Sequence, residues 1–196
     1  MLIINGLFWW VLNMGYEKGI KVSDDRWHPS TSNLLPSTVS GTTPSLRGDQ
    51  TDDVVIRAQA LKGSGVKLVV IDTPPFATTE VAAIVSAASL VIVPVVPSPH
   101  DLRAIGETID VVESQGKPMV FVVNNASTNG KLTLQAVTAL SQHGTVAPSI
   151  LHSRQDFRSA MIKGRTAGEV FPKGKSASEI SELWAYIENR LKKGAV

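Results

Sequence analysis

Three apolar runs rich in β-branched residues constrain the fold of this chain more than any other sequence feature. The runs VKLVVID, LVIVPVV and PMVFVVNN do not alternate apolar with polar residues, so they fit strands buried on both faces of a parallel sheet. Helix-length amphipathic segments separate them, which predicts βαβ units with right-handed crossovers. We therefore expect an α/β fold, a doubly wound, mostly parallel sheet flanked by helices in a single domain. Its predicted neighbouring strands are residues 66–72, 89–95, 118–124 and 145–150.

Two helices have clear start and stop signals. In SPHDLRAIGETIDVVESQG, Ser98 is placed to cap a helix, Pro99 takes its first position and Gly116 ends it. The last helix is predicted to begin near Ser176, because Ser176 and Glu179 have the spacing of a capping box. Its predicted core face consists of Ile180, Leu183, Trp184, Ile187 and Leu191.

Length, cysteine content and charge narrow the class of protein. The 196 residues suit one α/β domain, and the lack of cysteine excludes disulfides and fits a reducing, cytoplasmic location. The apolar opening MLIINGLFWWVLNMG is shorter than the roughly 20 residues that span a bilayer, so we expect no membrane anchor. Residues 151–196 carry nine Lys and Arg against five Asp and Glu. This basic excess fits either a polyanion-binding surface or a solvated helix face.

Five stretches occur together in a recognisable order: VVIDTPP, LVIVPVVPSPHDL, FVVNN, SRQDFRSAMIKGRTAGEVF and PKGKSASEISELWAYIENRL. In order and spacing they resemble the ParA/MinD-type P-loop ATPases, specifically the small plasmid-partition ATPases. The resemblance covers residues 66–192 and implies a P-loop NTPase-like fold. It also implies a cytoplasmic homodimer that uses ATP and Mg²⁺, binds DNA non-specifically and acts with a centromere-binding partition partner in plasmid or chromosome segregation.

The resemblance assigns nucleotide-binding roles to residues at two strand ends. Asp72 would be the Walker B carboxylate close to Mg²⁺, Thr73 would begin a nucleotide-sensing switch, and Asn124 would meet the base. The residues taken alone also fit simpler interpretations. Asp72 fits an acid that ends a strand in water, and Asn124 and Asn125 fit side chains that form a turn by bonding nearby backbone.

A basic group follows the fourth predicted strand. Arg154 and Arg158 lie one helical turn apart, and Lys163 extends the patch. The resemblance implies that Arg154 contacts DNA, and such contacts need positive charge but no base-edge geometry. A solvated basic face is the other interpretation. The four histidines lie in different predicted loops without metal-ligand spacing, and we assign them no chemistry.

The phosphate-binding loop of the family has no counterpart in this sequence. Relatives carry Lys-Gly-Gly-x-Gly-Lys-Thr after their first strand, whereas no Gly-x-x-x-x-Gly-Lys-Ser/Thr occurs here. The KGSGVKL stretch at 62–68 lacks the hydroxyl residue and precedes a strand. We therefore expect nucleotide hydrolysis to be impaired.

We divide the chain into a divergent N-terminal segment, 1–65, and a ParA-like α/β core with a C-terminal helix, 66–196. Within the first segment, residues 29–51 hold 13 Ser, Thr or Pro among 23 positions and predict a loop. Either this segment has diverged or its reading frame or start site has been altered. Two alternative functions stay open: a non-catalytic remnant that binds DNA or a partner, and a ligase of the dethiobiotin-synthetase or cobyric-acid type on the same frame.

Overall fold

The computed structural model describes residues 2–4, 22–26, 55–56, 60, 68–73, 79–128, 130–162 and 165–194. Three features singled out in the sequence lie outside the described residues: the Ser/Thr/Pro-rich segment 29–51, most of the KGSGVKL stretch, and Lys163.

The described strands form one six-stranded sheet in the order β2-β3-β1-β4-β5-β6, and every pairing in it is parallel. The strands are β1 (Leu2–Ile4), β2 (Val22–Arg26), β3 (Leu68–Asp72), β4 (Leu90–Val95), β5 (Met119–Val123) and β6 (Thr145–Val146). The helices are α1 (Thr79–Ser86), α2 (Pro99–Ala104), α3 (Gly106–Ser114), α4 (Lys131–Leu140), α5 (Gln155–Ile162), α6 (Ala167–Val170) and α7 (Lys175–Lys193).

The four predicted strands lie in one parallel sheet, as expected, but their adjacency was wrong at one point. β1 lies between β3 and β4, and Leu2 is in register with Val70 on one side and Leu90 on the other. The fourth strand is also shorter than predicted and ends at Val146. Beyond it the Ala147 amide donates to the Phe121 carbonyl at 2.8 Å, but the Val123 carbonyl two residues on accepts from Leu151 at 3.0 Å and not from residue 149. Two extra residues thus interrupt the regular pairing before residue 150.

Both faces of β3, β4 and β5 are buried, which confirms the doubly wound α/β architecture. Alternate residues of the strands contribute to two separate cores, so that Val120 and Val122 belong to one and Phe121 and Val123 to the other. The first core is covered by α7 through Ile180, Leu183, Trp184 and Ile187, with Leu191 packed at its border. The predicted core face of the last helix is therefore confirmed.

The helix signals after β4 are also confirmed, with one difference. The Ser98 hydroxyl accepts a hydrogen bond from the Asp101 amide at 3.1 Å, and Pro99 takes the first helical position. Gly116 ends the helical segment at φ 60°, a conformation that glycine adopts without strain. The predicted single helix is divided at Ile105 into α2 and α3.

The capping box predicted for α7 is wrong. Gly174 is the N-cap residue and makes no side-chain capping bond. The Ser176 hydroxyl instead donates to the Asp156 carboxylate at 2.8 Å, and Glu179 bonds residues that precede α5. Ser176 and Glu179 have capping-box spacing, but each bonds a side chain from a distant segment of the chain. A local sequence pattern does not reveal such long-range partners.

We predict that truncation of Phe121 is far more costly than truncation of an exposed leucine. Phe121 is fully buried in the middle of β5, whereas Leu134 on α4 is 69% exposed. Phe121→Ala should lower the free energy of unfolding by about 3 to 5 kcal/mol, and Leu134→Ala by less than about 0.5 kcal/mol. Urea denaturation of both variants measures the difference, and equal losses would contradict the placement of β5 in the core.

Candidate functional site

The strand order places a topological switch point between β1 and β4. The chain leaves β1 toward β2 on one side of the sheet and leaves β4 toward β5 on the other. In open α/β sheets, ligands bind outside the carboxyl ends of the strands at such a point. A ligand site is therefore expected at the carboxyl edge of this sheet.

Asp72 and Thr73 lie on this edge, where the sequence placed them. Asp72 is the last residue of β3 and its backbone is in register with Ile4 of β1 and Arg26 of β2. Thr73, the next residue, is buried at 7% exposure. The resemblance assigns residues 73–76 to a switch segment, and all of these after Thr73 lie outside the described part of the chain.

A cleft of about 290 Å³ opens on the same edge, beyond the ends of β4 and β5. Its volume is at the lower limit of small-molecule sites in proteins. Both polar amides and basic groups line it together with apolar side chains. The lining residues are Val96, Asn124, Asn125, Leu151, His152, Ser153, Arg154, Phe157 and Arg158.

The floor of the cleft is built by a loop that continues alongside β5 after β6 ends. The Leu151 amide donates to the Val123 carbonyl at 3.0 Å, and the Ala126 amide donates to the Leu151 carbonyl at 3.0 Å. Asn125 adopts φ 52° between these bonds, a left-handed conformation that asparagine tolerates better than most residues. Asn125 thus lies at a turn in the backbone, while Asn124 is half-buried at the cleft.

The two arginines predicted to contact DNA line the same cleft but differ in their surroundings. Arg154 donates to the Glu179 carboxylate from Nε at 3.0 Å and from Nη2 at 2.5 Å. Arg158 is exposed and donates from Nη2 to the Ser153 hydroxyl at 3.1 Å. The charge of Arg154 is therefore largely compensated within the protein, whereas that of Arg158 faces solvent at the rim.

Glu179 is the acceptor at the centre of a charged cluster on the wall of the cleft. Besides Arg154, it accepts from the His152 ring Nδ1 at 2.7 Å and from the His152 amide at 3.2 Å. Its side chain is 13% exposed. Burial raises the pKa of Glu179, but the hydrogen bonds from Arg154 and His152 together outweigh burial and hold the pKa below its ordinary value. The hydrogen bond to Glu179 raises the pKa of Arg154 in turn.

The structure thus brings Asn124, Arg154 and Arg158 together in one cleft and places Asp72 and Thr73 elsewhere on the edge. β1 and β4 separate β3 from β5, a distance on the order of 15 Å at ordinary strand spacing. Sequence reasoning missed His152, which lines the cleft, and Glu179, which binds the two lining residues His152 and Arg154. Glu179 is separated by 25 to 27 residues from its partners, and no local pattern indicates such a pair.

The described residues fit a nucleotide in part. An amide such as Asn124 supplies both a donor and an acceptor for the edge of a base, and the basic wall suits an anionic ligand. No cluster of three or more His, Cys, Asp or Glu that could hold a metal occurs among the residues that the structure describes. Within the same residues, no helix combines the length and apolar character needed to cross a membrane.

Comparison with known proteins gives a consistent picture. The chain is 27% identical over 148 residues to the Maintenance of carboxysome distribution protein A of Halothiobacillus neapolitanus, a match that covers 71% of this chain and 68% of that protein. MinD cell division protein of Aquifex aeolicus superposes with a TM-score of 0.74 over 96% of both chains at 15% identity.

Two further solved structures have the same fold. MinD of Pyrococcus horikoshii in complex with Mg-ADP gives a TM-score of 0.70 at 13% identity, covering 95% of this chain and 96% of that one. A ParA family ATPase from Chlorobium tepidum gives 0.64 at 13% identity, covering 91% and 96%. The chain has the ParA/MinD fold. The resemblance to ParA/MinD-type P-loop ATPases drawn from the sequence is thereby confirmed. No protein-family model matches the chain.

We predict that the Glu179 cluster makes the stability of this protein depend on acid pH. Glu179→Gln should lower the free energy of unfolding at neutral pH by about 2 kcal/mol, because it removes charge-assisted hydrogen bonds. The pKa of Glu179 is lower in the folded than in the unfolded chain. Its contribution is therefore complete above the ordinary glutamate pKa of 4.5 and is lost as the pH falls through the folded value.

Urea denaturation at a series of pH values from neutral to acidic measures this effect. The difference between wild type and Glu179→Gln should shrink in acid. Glu188→Gln is the matched control, because Glu188 pairs with Lys192 on the exposed face of the same helix, and such pairs contribute about 0 to 1 kcal/mol. A wild-type advantage over Glu179→Gln that stays constant into acid would contradict the assignment.

Proposed function

We propose that this chain is a ParA-like partition protein whose carboxyl-edge cleft receives the base of an adenine nucleotide. The observation that carries the proposal is the position of Asn124. It follows β5 directly and lines the cleft beside a basic wall, on the sheet edge where the fold collects ligands. A MinD relative of the same fold was solved with Mg-ADP, which supports a nucleotide and Mg²⁺ as the ligand.

Asp72 and Thr73 would then face the phosphate end of the nucleotide. They end β3 on the far side of β1, so base and phosphates would lie across the switch point. In P-loop proteins the phosphate loop follows a strand and opens a helix. The sequence after β1, NGLFWWVLNMG, contains no Gly-Lys-Ser/Thr. The proposal is accordingly a nucleotide-binding protein with impaired hydrolysis.

In this proposal the chain works as a cytoplasmic homodimer that binds DNA non-specifically and engages a centromere-binding partition partner during plasmid or chromosome segregation. The DNA contacts would come from Arg154, Arg158 and Lys163. Of the two described arginines in this group, Arg158 supports the role better, because its guanidinium is exposed and neutralising a phosphate requires a charge that is not already compensated.

A second candidate cargo is favoured by one observation. The relative from Halothiobacillus neapolitanus is named for the maintenance of carboxysome distribution. The cargo of this chain would then be a protein compartment and not a plasmid or chromosome. Imaging of the tagged protein together with a labelled plasmid and a labelled compartment shell distinguishes the two. The cargo whose spacing collapses when the gene is deleted is the one the protein distributes.

We predict that the chain binds the nucleoside part of ATP and that the phosphates add little to the binding affinity. Adenosine should bind with a dissociation constant weaker than about 100 μM, and ATP with Mg²⁺ should bind within about tenfold of adenosine, because no phosphate loop is recognisable. Asn124→Ala should weaken both by roughly fivefold to tenfold. Phosphate release should be no faster than in Asp72→Ala.

Isothermal titration followed by a phosphate-release assay, with and without DNA, measures these quantities. Micromolar affinity for ATP with turnover lost in Asp72→Ala would show that part of residues 1–65 supplies the missing loop, and the inference of an impaired site would be wrong. Unchanged adenosine affinity in Asn124→Ala would remove the cleft as the base site.

We predict that non-specific duplex binding falls steeply with salt and depends on Arg158. Arg158→Ala should reduce the slope of log affinity against log salt by about 0.9 for each phosphate that the arginine neutralises. Arg154→Ala should have a smaller effect on DNA affinity, since its charge is held by Glu179. Lys192→Ala, an exposed cation on α7 that is paired with Glu188, is the control. Equal DNA affinity of Arg158→Ala and wild type would show that this arginine is a surface charge without a role in DNA binding.

A further inference from the structure

Glu179 connects the last helix to the wall of the cleft in a way that helix stability does not require. It lies near the start of α7, where a glutamate commonly caps its own helix. The N-cap of α7 makes no side-chain capping bond, while the neighbouring helix α6 has a complete capping box between Thr166 and Glu169. The carboxylate is used instead for His152 and Arg154.

Docking of α7 does not depend on Glu179 alone. The fully buried Ser176 donates to Asp156 at 2.8 Å and joins the start of α7 to α5. The apolar face of α7 also packs on the sheet. A buried charge is costly unless it is paired, and the two residues that pair with Glu179, His152 and Arg154, both line the cleft. Glu179 is therefore a second tether of α7 that also holds two side chains of the cleft.

The contact with the imidazole has a chemical consequence. An ionised carboxylate only accepts hydrogen bonds, so the His152 Nδ1 that lies 2.7 Å from Glu179 Oε1 must carry the proton. In the neutral ring Nε2 is then the acceptor. His152 lines the cleft, so the ring nitrogen left to meet a ligand accepts and does not donate.

We propose that Glu179 is a positioning residue that fixes the tautomer of His152 and the orientation of Arg154, so that the cleft favours a base that carries an exocyclic amino group. This inference rests on the proposed function for its ligand. Adenine presents such a donor, whereas unsubstituted purine has only a C–H at the same position and leaves the imidazole acceptor without a partner. Asn124 adapts to either base because its amide both donates and accepts.

The experiment compares adenosine with purine riboside, which lacks only the exocyclic amino group of the base, in wild type, Glu179→Gln and Ser176→Ala. Glu179→Gln keeps the side-chain size but can donate to Nδ1 and so release the tautomer. Ser176→Ala removes the other tether of the same helix end and leaves His152 untouched. Nitrogen-15 spectra of histidine-labelled, ligand-free protein at mildly alkaline pH report which ring nitrogen carries the proton.

Wild type should show a protonated Nδ1 and an unprotonated Nε2 at His152, and should prefer adenosine over purine riboside by roughly tenfold, the value of one hydrogen bond. Glu179→Gln should lose this signature, and its preference should fall below about threefold. Ser176→Ala should keep both the Nδ1–H signature and the nucleoside preference, even if its melting temperature falls by as much as that of Glu179→Gln. A purely structural role for Glu179 predicts that the two variants behave alike.

The outcomes separate this inference from the proposed function. If neither nucleoside binds wild type, the base-binding proposal fails, and the histidine spectra of the free protein still decide the positioning role. Loss of the Nδ1–H signature in Glu179→Gln alone supports that role. An unchanged signature, an equal loss of preference in both variants, or a protonated Nε2 in wild type overturns the inference.

Discussion

Burial of both faces of β3, β4 and β5 in the parallel sheet is the constraint on which the rest of this structure depends. Because two cores cover the strands from opposite sides, side chains in the middle of a strand have no access to a ligand. Polar residues can act only where the strands end, and in a parallel sheet all carboxyl ends meet at one edge. The strand order then places β1 at the switch point and distributes Asp72 and Asn124 on either side of it.

The Glu179 cluster shows how a helix that covers the sheet also shapes the site. A carboxylate that is mostly buried is tolerated because three donor groups compensate it. Such an arrangement adds little to stability over an apolar contact of equal size, but it fixes the geometry of the groups it binds. Here those groups are on the wall of the cleft, so packing of α7 and the chemistry of the cleft are linked by one side chain.

Local patterns were reliable wherever the deciding interaction is local. The cap at Ser98 joins residues three positions apart, and the core face of α7 repeats with the helix period, so both could be predicted. The local pattern gave a wrong prediction for Glu179. Its spacing from Ser176 suits a capping box, yet a guanidinium and an imidazole more than twenty residues away offer a carboxylate stronger bonds than a backbone amide does.

The sequence by itself determined the fold class, the strands that end at Asp72 and Asn124, and the absence of a recognisable phosphate loop, because each follows from hydrophobic periodicity or from a contiguous motif. Only the tertiary structure decided that β1 lies between β3 and β4, and that Glu179 binds His152 and Arg154 at the wall of the cleft. These are contacts between segments distant in the chain. They are chosen by the summed burial and charge compensation of the whole fold, and a short window of sequence contains neither.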